Sequence, residues 1–260
     1  MIKHVRSALL KSGLYTNSRT STLALLELIS SLRPQECDKE LIRIGSKGDG
    51  GYLIPNDLDG IEYCFSPGVN TISDFENDLA DRGIKCFLAD YSVDAPPFLR
   101  PEFVFDKMFV GSFDEGCYYT LQSWKEKYLK SYSGDLILQM DIEGSEYEVI
   151  FNLPDTLLRQ FRIMVIEFHY LDRLFDPFVF SIYSASFRKI LTQFHVAHIH
   201  PNEIGGSCKV DNVEIPKVME FTFINKRRVH ATTPARRFPH RLDAGNTSRN
   251  PLVLPACWHS

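Results

Sequence analysis

The chain has 260 residues, 44% hydrophobic and 24% charged, which suits one large α/β domain with a full core and excludes a disordered or fibrous protein. It contains no run of 18 apolar residues, so the sequence offers no helical membrane span. A formal net charge of -4 argues against a protein built to grip a phosphate backbone, since that task needs a clustered basic face, and no nucleic acid partner is expected.

Met1 to Leu14 is positively charged but lacks the long apolar stretch of a secretory signal. Leucines at helical spacing over residues 21–32, ending before Pro34, predict a helix. In Leu41 to Pro55, Ile42 and Ile44 alternate with Arg43 before Gly48-Asp49-Gly50-Gly51, which predicts two short strands around a tight turn. From Ile61 a strand and helix rhythm begins. Apolar runs at 62–66, 84–89, 103–110, 135–140 and 162–166 read as strands, and 195–200 and 220–225 as two more. Helical spacing covers 73–81, 118–129, a segment through Phe151, and 179–194. The pairs Ser73/Glu76 and Ser145/Glu148 have the spacing of capping boxes. Crossovers of this length predict a mainly parallel sheet with helices on both faces, whose ligand sits beyond the carboxyl ends of the strands. Cys37, Cys64, Cys86, Cys117, Cys208 and Cys257 stand singly, with no CxxC pair, and read as reduced core residues of a cytoplasmic protein. The tail from Arg227, rich in Pro, Arg, His and Asn, is either a strap over the domain or a disordered end.

The strand ends carry the chemistry. Pro67-Gly68-Val69-Asn70 follows the first crossover strand, where a glycine lets the backbone come close to a ligand. Asp90 ends the next strand, 22 residues after Gly68, the spacing at which a carboxylate meets the ribose hydroxyls of an adenosine. There is no G-x-G-x-x-G, which weighs against a dinucleotide. Asp141 and Glu143 surround a buried strand end, where two acids are costly without a cationic or metal partner, while Glu146 reads as helix-end electrostatics. Glu167 and His169 share a face by period two, so Asp141, Glu167 and His169 converge on one divalent ion or on one acceptor hydroxyl. His198 and His200 align on the following strand and Asn202 joins them, which predicts a polar rim for an acceptor.

These segments resemble the FkbM-type S-adenosylmethionine-dependent methyltransferases from about Ile42 to the C-terminus. The most specific piece is Leu138-Gln139-Met140-Asp141-Ile142-Glu143-Gly144-Ser145-Glu146, similar to that family's Lys-Ile-Asp-Val-Glu-Gly-x-Glu segment. Asp49-Gly50-Gly51-Tyr52, Ser73-Asp74-Phe75-Glu76, Ile166-Glu167-Phe168-His169 and His240-Arg241-Leu242-Asp243 with Asn246 support it. The resemblance implies a Rossmann-like α/β fold of class I methyltransferase type with a seven-stranded sheet, and methyl transfer to an oxygen, often of a sugar in a glycan. It implies a helical extension at residues 1–40, a methyltransferase domain at 41–228 and a packed tail at 229–260. Gly68, Asp90 and Asp141 would line the cofactor site, with Ser66, Asn70 and Asp74 as further contacts. Ser66 departs from the family's usual acid and Ile72 from its second glycine. Catalysis would fall to Asp141, Glu167 and His169, either with His169 as base or with a divalent metal on all three. Glu143, His198, His200 and Asn202 would face the glycan or small-molecule hydroxyl acceptor. An NAD-dependent oxidoreductase and a catalytically silent glycan-binding scaffold are the alternative readings.

Overall fold

The computed structural model describes residues 2–13, 16–247 and 250–260. Its centre is a sheet whose strands, in chain order, are β1 (Tyr63–Pro67), β2 (Lys85–Ala89), β3 (Phe103–Asp106), β4 (Leu136–Met140), β5 (Phe161–Phe168), β6 (Phe194–Pro201) and β7 (Met219–Asn225). They lie in the order 6-7-5-4-1-2-3. β3, β2, β1, β4 and β5 run parallel, while β7 is antiparallel to both β5 and β6. This is a Rossmann-like α/β sheet, mostly parallel, with helices around it. The last strand departs from the crossover rule because no helix separates β6 from β7. A small hairpin, Ser207–Val210 with Val213–Pro216, fills the connection instead.

The helices are α1 (Ile2–Lys11), α2 (Thr22–Ser31), α3 (Asp74–Ala80), α4 (Leu121–Leu129), α5 (Glu146–Asn152), α6 (Asp155–Leu158) and α7 (Pro177–Leu191). None is long and apolar enough to cross a membrane. Strands buried on both faces read as continuous apolar runs, and β4 and β5 do so. Period two then divides them. Leu138, Met140, Met164, Ile166 and Phe168 feed a large core with α2, α4, α5 and α7. Ile137, Ile163 and Val165 feed a smaller one under α3 and the hairpin Leu41–Gly45/Gly51–Pro55. The tail crosses the domain as a strap. Thr232–Pro234 pairs with Gln35–Cys37, and fully buried Trp258 donates its Nε1 proton to the Glu214 carbonyl at 3.0 Å.

Several local expectations need correcting. The apolar run 103–110 is two strands, not one. Asp106 ends β3 by accepting from Trp124 Nε1 at 2.8 Å, Lys127 Nζ at 2.6 Å and Tyr128 OH at 3.0 Å, and Phe109–Gly111 then pairs with Tyr118–Thr120. The helix expected from Tyr118 therefore starts at Leu121, capped by Thr120 Oγ1 accepting from Ser123 N. Neither capping box forms. Ser73 and Ser145 make no side-chain cap bond, because Glu76 turns into the core and the acid at Glu146 takes over the second helix start. Cys64 and Cys86 are core residues as expected, but the other four cysteines are only half-buried.

Candidate functional site

Two chambers open at the carboxyl ends of β1, β4 and β5. The first, about 350 Å³, is lined by Gly68, Asn70, Asp74, Glu76, Gln139, Asp141, Glu143, Glu167, His169, Tyr170 and Asn202, with Asp49, Gly50 and Tyr52 of the hairpin. The second, about 290 Å³, is lined by Gly68, Asn70, Asp90, Ser92, Met108, Val110, Tyr118, Asp141 and Glu143. Gly68, Asn70, Asp141 and Glu143 belong to both. Asp90 and Asp141 thus share a chamber.

Strand register explains why the polar groups gather here. Glu167 of β5 stands opposite Glu220 of β7, which stands opposite His200 of β6, so the three share one face, the face of the smaller core. Towards the carboxyl ends of the strands that face changes from apolar to ionisable. Gly68 joins β1 to the site with φ +91°, and a Cβ there would lie 1.6 Å from the Asp141 carbonyl oxygen. Its close approach is therefore first to the neighbouring strand end, and only secondarily to a ligand. Asp90 caps the β2 end: Oδ2 accepts from Asn70 N at 2.8 Å, and Oδ1 from Ser92 N and Oγ at 2.7 and 2.6 Å. Those bonds hold its carboxylate facing the second chamber.

The acidic cluster centres on His169. Its Nδ1 lies 3.1 Å from Oε1 of fully buried Glu146, an oxygen that also accepts from Ile142 N at 3.1 Å and Gly144 N at 3.0 Å. Only a proton on Nδ1 can satisfy that carboxylate, so Nε2 is left as the free nitrogen. Nε2 faces Glu143 Oε2 at 3.5 Å, Asp141 Oδ1 at 3.7 Å and Glu167 Oε1 at 3.7 Å. Burial pushes the Asp141 carboxyl up to about 7, partly opposed by His169 and reinforced by Glu146, Glu143 and Asp49. Glu167 is raised well above the usual carboxylate range by burial, then by Asp141, Glu220, Asp49 and Glu146. At His169, burial works against protonation, but the Glu146 hydrogen bond and the charges of Glu146, Asp141 and Glu143 outweigh it and raise the pKa. Glu143 holds φ +57° and Tyr170 φ +55°, left-handed conformations that cost about 1 kcal/mol each and turn the loop ends around the cluster. Asn202 donates to Glu167 Oε1 at 3.2 Å from the far wall.

Three expected site residues lie elsewhere. Ser66 is fully buried beneath the first chamber and lines neither one. Its hydroxyl sits between Glu76 Oε1 and Gln139 Oε1, the latter at 2.7 Å. One hydroxyl proton cannot serve both acceptors. Burial pushes the Glu76 carboxyl up to about 7, and in its protonated form it supplies the second proton. His198 and His200 are aligned as expected, but the tail claims them: Asp243 lies 2.8 Å from His198 Nε2 and 3.7 Å from His200 Nδ1. They line neither chamber, and of that trio only Asn202 lines the first.

The same strap braces both lips of that chamber. Arg43 donates to Leu242 O at 3.3 Å as well as to Ser46 O and Gly48 O of the hairpin turn, and Asn246 donates to Glu203 Oε2 at 3.1 Å and Glu220 Oε1 at 2.6 Å. At Asp243 burial pushes the carboxyl up, but the two histidines outweigh it and hold it below the usual range. At His200 burial pushes the imidazole down, and Asp243, Glu220 and Glu203 together raise it. A depressed carboxyl gives stability that is lost as pH falls through its folded pKa, and a raised imidazole gives stability that is lost as pH rises through its own. The latch is therefore tightest in mild acid. Raising pH from about 6 to about 8.5 across the imidazole range is expected to speed tail cleavage in limited proteolysis severalfold, and Asp243→Asn is expected to flatten that dependence. A pH-independent cleavage rate in the unaltered protein would contradict the latch.

The residues that pattern reading missed are Glu146, Gln139, Tyr52 and Glu220. Glu146 had a signal, since an acid two residues after a glycine at a strand end can turn back onto the loop amides. No protein-family model matches this chain, and no curated protein does. A solved fibrillarin/Nop5p complex contains a chain with 14% identity and a TM-score of 0.38, over 65% of this chain and 74% of that one, a likeness that assigns no activity.

Proposed function

We propose that this chain is an S-adenosylmethionine-dependent methyltransferase of the FkbM type that methylates a hydroxyl of a sugar in a glycan or glycosylated small molecule. The observation that carries the reading is electrostatic. Asp90 lines one chamber, Asp49 and Asp74 the other, and Glu143 both, while Asp141, its carboxyl pushed up to about 7, adds part of a charge to each, and among the described residues no lysine or arginine lines either. A doubly negative pyrophosphate would be repelled from such walls, which disfavours the NAD-dependent alternative. A cofactor carrying a sulfonium and an ammonium is drawn in.

When bound, that cofactor supplies a methyl group already activated on sulfur. The chain then has three tasks. Asp90, anchored by Asn70 and Ser92, offers its remaining lone pairs to ribose hydroxyls. Asp141, Glu167 and His169 meet the acceptor hydroxyl and draw off its proton as the oxygen takes the methyl group, with sulfur keeping the electrons of the broken C–S bond. Half-exposed Tyr170 borders the acceptor side beside buried Asn202, and its flat ring suits a sugar face. Alignment does most of the remaining work, because the leaving group needs no further activation.

Asp90→Asn is expected to weaken S-adenosylhomocysteine binding about 10- to 100-fold, as loss of a charged hydrogen-bond acceptor does, with the fold intact. Unchanged affinity would remove Asp90 from the cofactor site. The activity itself is tested by incubating the protein with methyl-labelled S-adenosylmethionine and a panel of glycan acceptors and reading products by mass spectrometry. Label on nitrogen or carbon rather than on a sugar oxygen would overturn the substrate assignment, and no label on any acceptor would favour the silent scaffold.

A further inference from the structure

We propose that Asp141, Glu167 and His169 together bind one divalent transition-metal ion of the Mn²⁺ or Zn²⁺ class. The three offer two carboxylate oxygens and one imidazole nitrogen, all within 4.8 Å of one another. That donor set suits such ions better than Ca²⁺ or Mg²⁺, which prefer oxygen alone.

The distances separate an ion from a proton as the shared cation. His169 Nε2 lies 3.7 Å from Asp141 Oδ1 and from Glu167 Oε1. These gaps are too long for hydrogen bonds. Ligands held at about 2.0–2.2 Å from one ion stand roughly 3–4.3 Å apart, and 3.7 Å falls inside that span. Asp141 Oδ1 is buried with no hydrogen-bond partner among the described residues while aimed at Nε2, an unfavourable arrangement unless a cation completes it. Independently, Glu146 accepts from His169 Nδ1 at 3.1 Å, so that the neutral ring presents its lone pair at Nε2, as carboxylates behind metal-binding histidines arrange. Two carboxyls and the buried Glu146 around a single imidazole leave the cluster short of positive charge. No lysine or arginine among the described lining residues supplies it. Resting on the methyl-transfer reading, the ion would take the His169 Nε2 lone pair that would otherwise accept the proton, and its task would be to polarise the acceptor oxygen and lower its pKa.

The test uses the full-length protein, stripped with a chelator and titrated with Mn²⁺ by electron paramagnetic resonance and with Zn²⁺ by calorimetry. The expected result is one ion per chain, with nitrogen hyperfine coupling from one imidazole in the Mn²⁺ spectrum. Glu167→Gln is expected to weaken binding at least about 10-fold, and Glu146→Gln about 10- to 100-fold through loss of the carboxylate that orients His169. Binding of neither ion, Mn²⁺ binding without nitrogen coupling, or full affinity in folded Glu167→Gln would overturn the inference. The nitrogen coupling needs no variant, so a Glu167→Gln chain that fails to fold leaves the test standing. S-adenosylhomocysteine binding without ion binding would remove the metal and leave the methyltransferase proposal in place.

Discussion

Gly68→Ala is expected to cost at least about 3 kcal/mol of stability, a fall of roughly 6–12 °C in Tm, and to abolish S-adenosylhomocysteine binding. Two effects add. The residue holds φ +91°, where a side chain costs about 1 kcal/mol or more, and the new methyl would sit 1.6 Å from the Asp141 carbonyl oxygen and 2.6 Å from its carbon. Backbone cannot swing aside as a flexible side chain would. Phe65 pairs with Leu138, and Asp141 N donates to Pro67 O at 3.2 Å, so β1 and β4 are already fastened right up to the contact. Relief would require the strand ends to part, and with them the shared wall of the two chambers. Gly83→Ala is the control, since Gly83 has φ +79° and nothing within 4 Å of the added carbon. It should cost only the strain, about 1 kcal/mol or 2–4 °C by differential scanning calorimetry. Equal costs at the two positions would show that the β1–β4 junction is looser than described.

His169→Ala should lower the single-turnover rate of methyl transfer about 10²- to 10⁴-fold while leaving S-adenosylhomocysteine affinity nearly unchanged. The split follows from the geometry. His169 lines the first chamber and Asp90 the second, so on the proposed reading the imidazole would meet the acceptor rather than the adenosine. Its removal also orphans Glu146, a fully buried carboxylate that would keep only its bonds from Ile142 N and Gly144 N. Some destabilisation is therefore expected, and the rate must be measured below the variant's own Tm. A rate within a few fold of the unaltered protein would take His169 out of the chemistry.

Strand ends and their carboxylates were readable from sequence because their causes are local. An apolar run that stops at an acid identifies Asp90 and Asp141, and period two places Glu167 beside His169, a proximity now fixed at 3.7 Å. The misses all involve distant partners. Ser66 reads as a strand-end residue, but β1 runs on to Pro67, and pairing puts Ser66 level with Gln139 on the floor. His198 and His200 were correctly aligned, yet alternation carries no information about Asp243, 45 residues after His198, which claims both. Glu146 has the spacing of a helix-start acid. Its bond to His169, 23 residues away, exists only once β5 lies beside β4. Pattern gave the face of each side chain, and tertiary pairing decided its partner.

On the proposed reading, acidic walls at the tips of β1, β2 and β4 hold an adenosine through Asp90 while excluding phosphate. Isothermal titration of the purified protein with S-adenosylhomocysteine and, separately, with NAD tests it most directly. Saturable binding of S-adenosylhomocysteine with no heat from NAD is the expected result. Tight binding of NAD, or of neither ligand, would contradict it.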